Sequence, residues 1–225
     1  MKFNELFKAV GYLFPRRCIF CGELLDEDNV SCTQCERSLP FREDPLCDEM
    51  MEPLDRLYCA LTYEKQVPKG MANFKFHGKS HLAAYFVQLM LRQMRKQLEE
   101  EHIDLVVAVP MHRSKRRRRG YNQAELLAKQ LSAELNIPHS TCLKKIRRSA
   151  TQHELSGRER RSAQKGSYSC EALQGQRVLL VDDICTTGST LKECARVLKA
   201  AGASCVIGAA VCKTAKYRLV EQEEL

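Results

Sequence analysis

At 225 residues and 44% hydrophobic content, the chain is long enough for one cored domain plus an appendage. Its net charge of +8 is unevenly spread: residues 1–50 hold 6 basic against 10 acidic side chains, while residues 101–170 hold 15 against 6, so a polyanion suits the middle of the chain and not its start. No apolar run approaches the ~18 residues of a membrane span, and Met1–Phe14 lacks the unbroken apolar stretch of a secretory leader. That excludes a membrane span and argues against disulfide stapling of the twelve cysteines; a cytoplasmic, reducing compartment is expected, where clustered cysteines point to metal.

Phe3, Leu6, Phe7, Val10, Leu13 and Phe14 fall at helical spacing and Pro15 stops the pattern, which predicts an amphipathic helix docked on its own domain rather than on a membrane. Cys18, Cys21, Cys32 and Cys35 follow with the spacing C-x2-C-x10-C-x2-C. Four thiolates from two tight knuckles make a closed tetrahedral zinc site of the structural type, with Gly22 easing the first turn; a redox C-x-x-C pair and incidental thiols are the alternatives. Residues 40–56 are rich in Pro and acids and read as a linker. The expected division is residues 1–50 as an N-terminal helix and zinc module and residues 51–225 as the main domain. Leu57, Cys59, Leu61 and Tyr63 alternate as in a strand. In the stretch Lys69–Ser80, Lys75 and Lys79 with interleaved Phe74 and Phe76 read either as a phosphate or nucleic-acid contact or as an ordinary helix end with packed rings. Leu82–Glu101 is a predicted helix.

Ile103–Val109 reads as a buried strand. A basic run follows it, His112, Arg113, Lys115, Arg116, Arg117, Arg118 and Arg119, ending at Gly120, and a helix is expected over Ala124–Leu135. A charge run is usually a solvated face. This one is predicted as a loop on a ligand rim, where Arg suits bidentate contact with pyrophosphate or a nucleic-acid backbone. Residues 144–165 form a second basic stretch, read as a long mobile loop that either closes over a ligand or is a plain basic surface.

The apolar run Val178–Val181 ends in Asp182 and Asp183, followed by Thr186-Thr187-Gly188-Ser189-Thr190. It reads as a buried parallel strand whose turn lies where open α/β sheets bind ligands. Gly188 lets backbone approach an anion, and N–H groups at a helix start with the hydroxyls of Thr186, Thr187, Ser189 and Thr190 suit a phosphate. The two acids suit sugar hydroxyls or a metal carried with the ligand. The plain alternative, a Thr-capped helix beside two solvated acids, leaves carboxylates at the end of a buried strand without a ligand, which is costly. Leu191, Cys194, Ala195, Leu198 and Ala201 form one face of a helix ending at Gly202, Ser204–Val211 is a last strand, and the tail from Lys213 is expected to fray.

This stretch resembles the ribose-phosphate loop of type I phosphoribosyltransferases. The resemblance implies a parallel α/β sheet flanked by helices. It also implies phosphoribosyl pyrophosphate (PRPP) with Mg²⁺ as ligand, its ribose hydroxyls on Asp182 and Asp183 and its 5′-phosphate on Thr186–Thr190. Val109-Pro110-Met111-His112 followed by Arg119-Gly120-Tyr121-Asn122-Gln123-Ala124, the zinc knuckles, and the run Gln152-x-x-Leu155-Ser156-x-x-x-Arg160 resemble the ComF competence family over nearly the whole chain; Ser149 and Ala163 depart from its usual Thr and Asn. That resemblance implies handling of incoming single-stranded DNA in natural transformation, with a helicase of the uptake system and recombination mediators as partners. Two other readings stay open: an active phosphoribosyltransferase using Arg113 or Lys115, Mg²⁺ and the acid pair, and a non-catalytic adaptor.

Overall fold

The structure, a computed structural model, describes residues 16–25, 29–47, 51–76, 78–146 and 166–215. The expected N-terminal helix, the Gln152–Arg160 run, most of the second basic stretch and the end of the tail lie outside the described residues.

The helices are α1 (Thr33–Arg37), α2 (Val67–Lys75), α3 (Leu82–Glu100), α4 (Arg113–Arg119), α5 (Gln123–Leu135) and α6 (Ser189–Ala200). The strands are β1 (Arg56–Thr62), β2 (Leu105–Ala108), β3 (His139–Ser140), β4 (Leu143–Lys145), β5 (Tyr168–Cys170), β6 (Arg177–Cys185) and β7 (Cys205–Lys213). Five of these form a parallel sheet in the order β1-β7-β6-β2-β3, and β4 and β5 pair antiparallel on their own. This is the expected parallel α/β sheet flanked by helices. Val178, Leu179, Leu180 and Val181 are fully buried, because α3 and α5 pack on the sheet and α6 packs on β5, β6 and β7. The chain runs from β2 outward to β3 and then returns to β6 on the other side of β2. The topological switch point therefore falls between β2 and β6, and the segments after these two strands share one rim.

At the opposite end of the sheet Glu101, 2% exposed, gathers three donors: Arg56 at 2.6 Å, Tyr58 at 2.6 Å and Arg177 at 3.2 Å. A buried carboxylate is tolerable only with such partners. Here they fasten the end of α3 to the starts of β1 and β6.

The two acids lie near the carboxyl end of β6, which runs on through them to Cys185, pairing Asp182 with Ala210 and Ile184 with Cys212. Three expectations are corrected. The basic run is a helix, not a loop, because Arg is a strong helix former and both ends are closed. His112 Nδ1 accepts from the Ser114 N–H at 3.3 Å, and Gly120 at φ +87° donates to the Arg116 carbonyl at 2.8 Å. The stretch 40–56 is not a free linker. Phe41 and Leu46 bridge antiparallel to Leu61 and Tyr58, so the segment covers the outer edge of β1, as exposed edges require. Lys213 does not fray but lies buried in β7, where its carbonyl accepts from the Tyr63 N–H.

The cysteine knuckles dock on α2. Gln66 donates to the Cys35 carbonyl at 3.1 Å, Lys69 to the Cys21 carbonyl at 2.5 Å, and Asn73 to the Ile19 carbonyl at 2.7 Å. Between them Phe20, 1% exposed, lies against Gly70, where an added Cβ would stand 2.4 Å from the ring. Gly70→Ala is expected to force ring and helix apart and to destabilise the protein by about 1–3 kcal/mol, read as a lower midpoint in chemical denaturation.

Candidate functional site: an acid pair ringed by cations, and a four-cysteine centre

The Sγ atoms of Cys18, Cys21, Cys32 and Cys35 all lie within 4.8 Å of one another, and Cys21 and Cys32 are 3.8 Å apart. A tetrahedron of sulfurs around zinc at about 2.3 Å has edges of roughly 3.8 Å, so the donor set fits this ion. Backbone N–H groups point at the sulfurs: Cys32 to Cys18 at 3.4 Å, Cys35 to Cys32 at 3.5 Å and Glu23 to Cys21 at 3.4 Å. Burial opposes ionisation of Cys18, but N–H donors from Cys21, Cys32 and Phe20 outweigh it and hold the thiol at about 6. Cys35 is pushed strongly upward by burial and by its three sulfur neighbours. Four thiolates at this spacing need a cation, and the centre is closed and structural.

At the switch point the two acids sit side by side in β6. Successive strand residues face opposite sides of the sheet, so each acid meets its own surroundings. Asp183 Oδ2 is 3.2 Å from Lys75 Nζ at the end of α2, and its charge also acts on Lys115 and Arg119 of α4. Asp182 acts on Lys145 of β4, Tyr168 of β5 and Cys194 of α6. Lys145 Nζ lies 5.0 Å from the Tyr168 ring centroid, a cation–π contact. Burial, and after it the charge of Asp183, push the Asp182 carboxyl up to about 8. Desolvation, with Arg119 and Lys75 adding to it, lowers Lys115, and desolvation lowers Arg119. Arg119 donates to Gln123 at 3.1 Å and its guanidinium lies 5.2 Å from the Phe76 ring centroid, yet its Nε is buried with no hydrogen-bond partner. A buried donor without a partner beside two acids and three other cations is chemistry arranged for an anion.

The turn after β6 brings Thr186, Thr187, Gly188, Ser189 and Thr190 together at the start of α6, and all of these but Thr187 line, with Asp182, a small cavity of about 30 Å³. Thr187 Oγ1 lies 3.1 Å from Ser189 Oγ. Gly188 is required for a reason the sequence did not reveal. Its φ is +72°, which favours glycine, and the tip of Met51 lies over it, 2.2 Å from where a Cβ would stand.

The basic run is divided. Lys115 and Arg119 feel the charge of Asp183, His112 Nδ1 is occupied by its capping bond, and Arg113, Arg116 and Arg117 line a separate surface pocket with Gly120. Lys75 joins the site although its sequence signal allowed either reading, whereas Lys79 bonds to Asn73 instead. Lys145, at the start of the second basic stretch, sits in β4 rather than in a loop, and Tyr168 of β5 is an addition that only its three-dimensional position brings in.

Cys18→Ser is expected to abolish stoichiometric zinc, measured by elemental analysis, and to lower soluble yield. For Asp182 the sign of the pH effect follows from its raised value. Between the unfolded value near 4 and the folded value of about 8, the folded protein holds a proton that the unfolded chain releases, so this group's contribution to stability falls as pH rises through that window. Asp182→Asn is therefore expected to raise the melting temperature by about 4 °C or more at pH 8 and by little near pH 4.

Residues 9–63 match the family described as "Double zinc ribbon domain", and residues 117–224 match "Phosphoribosyl transferase domain". The DNA utilization protein YhgH of Escherichia coli is 32% identical over 206 residues, covering 88% of this chain and 90% of that protein. Competence protein F of Haemophilus influenzae is 29% identical over 215 residues, covering 84% and 93%, and competence protein ComFC of Bacillus subtilis is 25% identical over 197 residues, covering 87% and 75%. Likeness of this extent, with a zinc ribbon ahead of the same sheet in one continuous chain, reflects common descent, and the chain belongs to the ComF family of phosphoribosyltransferase-like proteins.

Proposed function

We propose that this protein handles single-stranded DNA during uptake or utilisation of foreign DNA, and that its switch-point site binds Mg-PRPP or a similar 5′-phosphorylated sugar. The observation that carries the ligand class is the acid pair inside β6, flanked by the Thr186–Thr190 turn and by Lys75, Lys115, Arg119 and Lys145. Carboxylates accept from sugar hydroxyls or a Mg²⁺ brought by the ligand, the turn receives the 5′-phosphate, and the cations receive the pyrophosphate. The DNA role rests on what the relatives' names say of them, DNA utilization and competence, and on the basic middle of the chain.

The cytoplasmic face of the uptake system is the proposed place of action, with a helicase and recombination mediators as partners. No helix among the described residues is long and apolar enough to cross a membrane. The cations Lys115 and Arg119 beside the acids also favour a second reading, an active phosphoribosyltransferase, which pyrophosphate release in the presence of an acceptor base would establish.

Calorimetric titration tests the site. Mg-PRPP is expected to bind more tightly as pH rises from 6 to 8, because Asp182 must surrender its proton to act as an acceptor, and Asp183→Asn is expected to weaken binding about tenfold or more. Equal affinity for wild type and variant would overturn the assignment.

A further inference from the structure

The basic helix α4 presents two faces, and their surroundings differ. At 100° per residue, Arg113, Arg116, Arg117 and Gly120 fall on one stripe (i, i+3, i+4, i+7), and Lys115 and Arg119 fall on the other side. The structure bears out this division. Arg119 is half-buried against Phe76 and Gln123, and the charge of Asp183 acts on both Lys115 and Arg119. Arg113, Arg116, Arg117 and Gly120 line an open pocket of about 340 Å³ on the solvent side. Arg116 is held in place by Glu125 at 3.3 Å, and Glu125 is shared with Lys129 at 2.9 Å. Among the described residues no acid pairs with Arg113 or Arg117. Gly120, with no atom within 4 Å of where a Cβ would be, keeps the far end of the pocket clear.

We infer that the outer face of α4 is a binding track for the phosphate backbone of single-stranded nucleic acid, separate from the switch-point site, and that strand and phosphorylated sugar bind at the same time on opposite faces of one helix. The inference rests on the reading under Proposed function and deepens it. Planar guanidinium groups on one stripe match successive phosphodiesters bidentately, and exposed Arg keeps the contact sequence-independent. The inner pair is unsuited to a polymer backbone, since Arg119 is held against Phe76 and Gln123 and both cations feel the charge of Asp183. Charge on the two faces therefore serves two anions.

The test titrates a fluorescent single-stranded oligonucleotide at several salt concentrations, with and without saturating Mg-PRPP, alongside calorimetry of Mg-PRPP alone. The combined variant R113A/R116A/R117A is expected to weaken oligonucleotide binding more than tenfold and to flatten the dependence of log K on log salt by about 2, since each single-strand phosphate contact contributes about 0.7. Its Mg-PRPP affinity is expected to stay within about twofold, which also shows that the variant is folded. The combined variant K115A/R119A is expected to do the reverse. For wild type, saturating Mg-PRPP is expected to leave oligonucleotide affinity unchanged. If wild type binds the oligonucleotide but the outer variant keeps its affinity and salt slope, or if Mg-PRPP displaces the strand, the two-face inference is overturned while the functional reading stands. If wild type binds no oligonucleotide at 50 mM salt, the functional reading fails and this inference with it.

Discussion

Two carboxylates placed next to each other inside a parallel strand set the terms for the rest of this structure. The four strand residues directly before them, Val178–Val181, are apolar and buried, so β6 cannot solvate the acids itself. Alternation along the strand sends Asp183 to the side of α2 and α4 and Asp182 to the side of β4, β5 and α6. Each side then supplies cations from a different part of the chain: Lys75, Lys115 and Arg119 for one, Lys145 for the other. The balance remains incomplete, as the raised Asp182 carboxyl and the unpartnered Arg119 Nε both indicate. Incomplete compensation in an otherwise well-packed core is the signature of a site whose last partner is a ligand.

The rest of the chain holds this arrangement from two ends. Glu101 ties α3, β1 and β6 together at the amino ends of the strands, away from the chemistry. At the other edge the segment from Phe41 to Leu46 closes the open side of β1. A parallel sheet with an unpaired flank would present backbone donors to any passing strand. Covering it with the stretch that follows the knuckles also brings the zinc module onto the same core.

Much of this was legible from local signals. Cysteine spacing is a property of a few residues and needs no fold, so Cys18, Cys21, Cys32 and Cys35 were readable at once. The acid pair and its Thr-rich turn were readable for the same reason. What escaped depended on partners far away in sequence. Asp is a poor strand residue, so the acids were read as the end of the strand, yet pairing of Asp182 with Ala210 and of Ile184 with Cys212 carries it on to Cys185. The arginine run has no apolar stripe, which hides a helix from periodicity, and its caps at His112 and Gly120 decide the matter. Pro and acid content made residues 40–56 look like a linker, although backbone hydrogen bonds to an edge strand are indifferent to side-chain polarity. Lys145 and Tyr168 belong to the site only because an antiparallel pair of short strands returns them to it.

Helix α2 has a further consequence. Gln66, Lys69 and Asn73 grip the carbonyls of the knuckles, and two residues beyond Asn73, Lys75 grips Asp183. Nine residues of helix form a strut about 13 Å long that bends little. Bonds between zinc and sulfur fix four atoms to within tenths of an ångström, a finer ruler than the packing of flexible side chains provides. The cation that faces the acid pair thus takes its position from a metal centre that never touches it, and the tolerance of the switch-point site is set by inorganic bond lengths in a neighbouring module.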